Sequence, residues 1–69
     1  MTFKERLIEL RKEKNLTQKQ VADDLGMQVP TYGRYEIGLR EPNMEMLDKL
    51  ARYFNVTVDY LMGRTDRRD

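Results

Sequence analysis

The run from Leu25 to Pro42, LGMQVPTYGRYEIGLREP, limits the fold more than any other part of the chain. Three glycines and two prolines in eighteen residues have the composition of a loop. Yet Thr31, Tyr32, Arg34, Tyr35 and Glu36 are spaced as on a helix. A helix beginning near Gln28 reconciles the two. Pro30 then falls in the first turn, where its missing N–H has no intrahelical partner to lose, whereas anywhere later it would break the helix. Tyr32 and Tyr35 share a face with Met27 and pack inward. Gln28, Val29, Gly33 and Arg34 point outward, and Gly38 closes the helix after Ile37. Gly33 costs such a helix about 1 kcal/mol relative to alanine. Two explanations stand: the glycine is tolerated drift, or a side chain there would obstruct close approach to a ligand surface.

The flanking segments carry clearer signals. Thr2 and Glu5 have the capping-box spacing, and Phe3, Leu7, Ile8 and Leu10 follow at helical intervals to about Lys14, where Asn15 tolerates a left-handed turn. Thr17 and Gln20 repeat the box ahead of Val21, Ala22 and Leu25, and Gly26 stops that helix. Asn43 caps a helix with Glu45 in its first turn and a Leu47, Leu50, Ala51, Phe54 stripe. Thr57 caps a last short one that Gly63 ends. No segment alternates as a strand would. The expected fold is all-α: a compact five-helix bundle with helices at about 2–14, 17–25, 28–36, 43–54 and 57–62 in one domain over 1–63, and a flexible tail over 64–69.

Two short helices joined by a tight glycine turn, here Gln18–Gly26 and Gln28–Ile37, form a helix-turn-helix. Ala22, four residues before Gly26, is small enough to let the two cross closely. Val21, Leu25, Tyr32 and Tyr35 fill the angle between them.

Composition removes other classes. With no cysteine and no histidine there is no disulfide framework, no thiolate or imidazole metal site, and no side chain titrating near neutral pH in the ordinary way. No nucleophile and base can be assembled, and no phosphate-cradling glycine loop is present, so no enzyme is expected. The apolar runs are at most three residues long, far below the roughly 20 that span a bilayer. A reducing cytoplasm is the expected compartment. Net charge is only +1, from 13 basic and 12 acidic residues. That is a weak footprint for a nucleic-acid binder, so the placement of charge matters more than its sum.

The pieces LTQKQVADDLG, RYEIGLREP and FNVTVDYLMGR, within a stretch from about Arg6 to Arg64, resemble lambda-repressor-like, Cro-type (Xre) helix-turn-helix domains. The resemblance implies a bacterial or phage transcriptional regulator, most simply a repressor, that binds a palindromic operator as a dimer with its third helix in the major groove of double-stranded DNA. It implies that Gln18 contacts a phosphate, which suits an amide at a helix N-terminus. It places Gln28, Val29, Pro30, Gly33 and Arg34 toward bases or flanking backbone. Arg34 either pairs with guanine O6 and N7 or holds a phosphate without reading sequence. Gln28 reads adenine or touches a phosphate, and Val29 meets a thymine methyl. Arg40 contacts a phosphate or is simply solvated. Arg11 and Glu36 match the family's buried ion pair. Tyr32 and Tyr35 match its core sites rather than stacking sites.

The chain departs from the family at Ile37 and Leu39, where polar asparagine and lysine are frequent. Two phosphate-facing groups are thereby lost and an apolar pair gained. Dimerisation, at least on DNA, would use Val58, Leu61 and Met62, which alternatively complete the monomer core; Met44 and Met46 lie at the rim. No cofactor, metal, membrane or small-molecule substrate is expected. The competing reading is a protein–protein interaction module of the same fold, using the apolar pair as its contact surface.

Overall fold

Four of the five helices begin at a polar side chain that feeds an acceptor to its own backbone. The computed structural model describes residues Met1–Asp69. In α1 (Phe3–Glu13) Thr2 and Glu5 cap each other: the Thr2 N–H donates to Glu5 Oε1 at 2.9 Å and the Glu5 N–H to Thr2 Oγ1 at 3.4 Å. Thr17 and Gln20 do the same for α2 (Gln18–Asp24). Asn43 and Thr57 accept from the third N–H of α4 (Met44–Phe54) and α5 (Val58–Leu61) at 2.9 and 3.0 Å. Helix α3 (Val29–Ile37) has no side-chain cap; Pro30 in its first turn removes one donor that would otherwise need a partner.

All five helices end alike. Asn15, Gly26, Gly38, Asn55 and Gly63 have positive φ, between 55° and 81°. After each, the next N–H returns to a carbonyl of the last turn: Leu16 to Arg11, Met27 to Ala22, Leu39 to Arg34, Val56 to Ala51 and Arg64 to Asp59. This Schellman closure satisfies carbonyls that a frayed end would leave bare, and it turns the chain sharply. Helices this short are marginal alone in water, so they persist only because the turns bring their apolar faces together.

Those faces meet in one core. Leu7 and Leu10 come from α1, Val21 and Ala22 from α2, Tyr32 and Tyr35 from α3, Leu47, Leu50, Ala51 and Phe54 from α4, and Tyr60 and Leu61 from α5. Helix α3 packs on both α1 and α2, while α5 packs on α1 and α4. The Cα envelope measures 28 × 23 × 19 Å.

Two expectations need correction. Leu61, a dimer candidate, is 0% exposed. It belongs to the monomer core because a four-residue helix with an apolar face must seat its one long aliphatic side chain inward. Val58 and Met62 are half-buried against that core. Residues 64–69, expected as a flexible tail, instead cross back over α1 and α5. The Thr57 N–H donates to the Arg68 carbonyl at 3.1 Å. Arg68 Nη1 donates to Glu13 at 2.9 Å and its Nε to the Tyr60 hydroxyl at 3.2 Å. Asp66 accepts from Arg6 Nη2 at 2.7 Å. Arg6 is buried, and its guanidinium lies 3.9 Å from the Tyr60 ring centroid.

Candidate nucleic-acid interface

Helix α2 ends at Asp24 and α3 begins at Val29, so four residues make the turn. Gly26 supplies the left-handed backbone at φ 70°, and the Gly26 and Met27 N–H groups close back onto the Asp23 and Ala22 carbonyls at 3.2 and 2.9 Å. Leu25 and Met27 pack against the core from inside the turn. The angle between the helices is therefore set by bonded backbone and buried side chains.

A polar hub sets the tilt of α3. The Glu36 carboxylate accepts from Arg11 Nε at 2.7 Å, from Arg11 Nη2 at 3.0 Å and from Gln18 Nε2 at 3.0 Å. Arg11 Nη1 donates to the Leu16 carbonyl at 2.9 Å. One acid on α3 thus ties the end of α1 to the start of α2. Both side chains of the pair are largely withdrawn from water, at 15% and 3% exposure for Arg11 and Glu36. Burial alone would push the Glu36 carboxyl up. Donation from Arg11 and Gln18, with the Tyr32 hydroxyl close by, outweighs burial and holds it below its ordinary value of 4.5. Removing either partner of such a pair leaves a buried charge uncompensated. The Tyr32 hydroxyl is buried beside this hub without a hydrogen bond of good geometry. Its burial and the nearby Glu36 charge push the phenol far up, so it stays protonated.

The inward face of α3 is Tyr32, Tyr35 and Glu36, all buried. Tyr32 and Tyr35 are core side chains and offer no stacking surface. The outward face carries Pro30, Arg34 and Ile37 at one-turn spacing, all exposed, with Gly33 beside them. Gln28 is exposed at the N-terminal tip. Val29 is only partly open, because it also packs against the core. A Cβ built on Gly33 would lie 3.5 Å from Gln18 Oε1, an ordinary contact. The fold therefore does not require glycine there. Gln18 is less free than its expected role implies, since its amide is already bonded to Glu36. Arg40 is exposed in the loop after α3.

Charge placement resolves the weak overall balance. Arg6, Arg11, Lys19, Arg52, Arg64, Arg67 and Arg68 each lie within 4.0 Å of a carboxylate. Lys12 and Lys14 at the end of α1 are unpaired. So are Arg34 on α3 itself and Lys4, Arg40 and Lys49, which line two adjoining clefts at the exit of α3. Against these four cations stand Glu41 and Glu45, which line the same clefts, so the charge on this side is modestly positive although the chain is nearly neutral.

Sequence reasoning missed Arg6 and its clasp with Tyr60 and Asp66. The signal was an arginine set among Phe3, Leu7 and Leu10 on the apolar stripe of α1, where a solvated cation has no place. It also missed that Gln18 braces Glu36, which no spacing reveals.

A family model for the helix-turn-helix matches residues 7–61. The chain is 45% identical over 64 residues to the HTH-type transcriptional regulator AnsR of Bacillus subtilis, covering 93% of this chain and 55% of that protein. It is 44% identical over 64 residues to the cryptic phage CTXphi transcriptional repressor RstR of Vibrio cholerae, covering 93% and 57%. A crystal structure of a transcriptional regulator from Listeria innocua matches with a TM-score of 0.86 at 36% identity, over 96% of this chain and 62% of that one. The chain spans little more than half the length of these curated relatives, which are named as regulators of transcription and not as enzymes. No helix is long and apolar enough to cross a membrane. The chain belongs to the helix-turn-helix family, as a lambda-repressor- and Cro-like domain.

Proposed function

We propose that this chain binds double-stranded DNA in the cytoplasm as a transcriptional repressor, with the outward face of α3 in the major groove. One observation carries the reading. The face holding Pro30, Arg34 and Ile37 is exposed, with Gly33 partly so, while the opposite face is locked to the core and to Arg11. A rod fixed on one side and open on the other suits insertion into a groove. Arg34 is the main base reader, through a bidentate pair to guanine worth about 1–3 kcal/mol of discrimination. Gln28 and the free part of Val29 read adjacent positions, and Arg40 holds the backbone. Gln18 is first a brace for Glu36, with its second amide hydrogen left for a phosphate.

Size supports a homodimer on a palindromic operator, because one copy cannot reach two half-sites. The longest dimension, 28 Å, is shorter than the roughly 34–36 Å between half-sites one helical turn apart. Val58 and Met62 remain the pairing candidates. Selection of binding sites from random duplexes tests all of this at once. A two-fold-symmetric consensus with guanine under Arg34 is expected, and recovery of no consensus overturns the reading.

Ile37 and Leu39, 62% and 75% exposed, favour the second reading, a protein-binding module. Salt separates the two. Binding to DNA weakens by about 0.9 log units per log unit of salt for each phosphate contacted, and apolar docking does not.

A further inference from the structure

The geometry points to Lys4, in the first turn of α1, as a contact to the DNA backbone beside Arg40. This rests on the DNA-binding reading above. Lys4 lies far in sequence from the helix-turn-helix, but its side chain runs across the end of α3. The position of a Cβ built on Gly38 is 3.1 Å from Lys4 Cδ and 3.6 Å from its Nζ. Gly38 has no side chain and φ 81°, so the lysine stem lies flat over the helix exit. The ammonium lies near the C-terminal end of α3, and no hydrogen bond or carboxylate within 4.0 Å fixes it there.

Lys4, Arg40 and Gly38 line one cleft of about 210 Å³, with Thr2, Tyr35 and Glu41. Neither cation has a carboxylate within 4.0 Å, although Glu41 shares the cleft. Both ammonium and guanidinium are thus free to bind an anion. The neighbouring surface contributes nothing toward one, because Ile37 and Leu39 are apolar. A phosphate reaching this end of α3 finds its partners in Arg40 and in a lysine delivered from another helix. Such a contact fixes register on the duplex and reads no base.

The test compares Lys4→Met with the unaltered chain on a selected operator duplex and on a scrambled one. Methionine keeps an apolar stem over Gly38 and removes only the charge. The salt slope is expected to fall by about 0.9, so that between 50 and 200 mM salt the variant loses about 3–4-fold less affinity than the parent. Affinity for both duplexes should drop by the same factor, and Lys4→Arg should restore it. A scan of duplexes with single neutral methylphosphonates should reveal one position that weakens the parent but not Lys4→Met. An unchanged slope with no such position overturns the role of Lys4 while leaving DNA binding intact. Salt-independent binding by the parent overturns the DNA reading itself, and the Lys4 contact with it.

Discussion

Replacing Gly33 by alanine should stabilise this domain and weaken its grip on DNA, and the opposite signs are what make the experiment informative. Gly33 sits mid-helix with ordinary backbone angles, since it is absent from the positive-φ glycines. The added methyl meets only Gln18 Oε1 at 3.5 Å, a normal van der Waals separation. No strain offsets the gain in helix propensity, about 1 kcal/mol. For a domain of this size that corresponds to a rise in Tm of about 4–8 °C. With α3 in the groove as proposed, the same methyl would stand on the DNA-facing side, where close approach would leave it no room. Taking the cost as that of overpacking a core, about 1–3 kcal/mol, operator affinity should fall about 5- to 150-fold. Thermal melting by circular dichroism and a fluorescence titration on one duplex measure both effects. A lower Tm would mean that Gly33 is a packing residue and that the open space beside it closes in solution. A higher Tm with undiminished operator binding would remove this face of α3 from the interface.

Other changes probe the remaining parts. Arg34→Ala should leave Tm unchanged and narrow the gap between operator and scrambled DNA by about 1–3 kcal/mol; a retained gap would exclude base reading by this side chain. Glu36→Ala or Arg11→Ala should destabilise by about 3–5 kcal/mol, because a buried charge loses its partner. That is a large share of the roughly 3–10 kcal/mol expected for a chain of this length, and an unaltered melting curve in both would show the pair to be solvated. The same pair makes stability pH-dependent. Glu36 has a lowered carboxyl pKa in the fold, so its contribution is complete above the ordinary 4.5 and is lost as pH falls through the lower folded value. The stability difference between the unaltered chain and Glu36→Gln should therefore shrink below about pH 4.5, and a constant difference down to about pH 3 would contradict the sign. Truncation after Arg64 should lower Tm, because buried Arg6 loses the Asp66 hydrogen bond and the Thr57 N–H loses the Arg68 carbonyl; equal melting of both chains would show that the terminal residues do not hold α5.

Local chemistry made most of the fold legible. Capping boxes at Thr2 and Thr17, caps at Asn43 and Thr57, and left-handed stops at Asn15, Gly26, Gly38 and Gly63 act within a few residues of themselves. They read the same in a sequence as in a folded chain. The inward and outward faces of α3 were legible for the same reason, since Pro30 sets where the helix can start and the helical period does the rest. Only the tertiary structure decided which long side chains meet across helices. Arg6 over Tyr60, Gln18 on Glu36, the tail across α1 and Lys4 along Gly38 join positions far apart in the chain. Leu61 went to the core rather than to a partner by the same packing. These contacts depend on how the sharp turns direct each helix, and on which charges find a carboxylate once the apolar faces close. A linear pattern records the charge of each residue, but not which of them the fold leaves free.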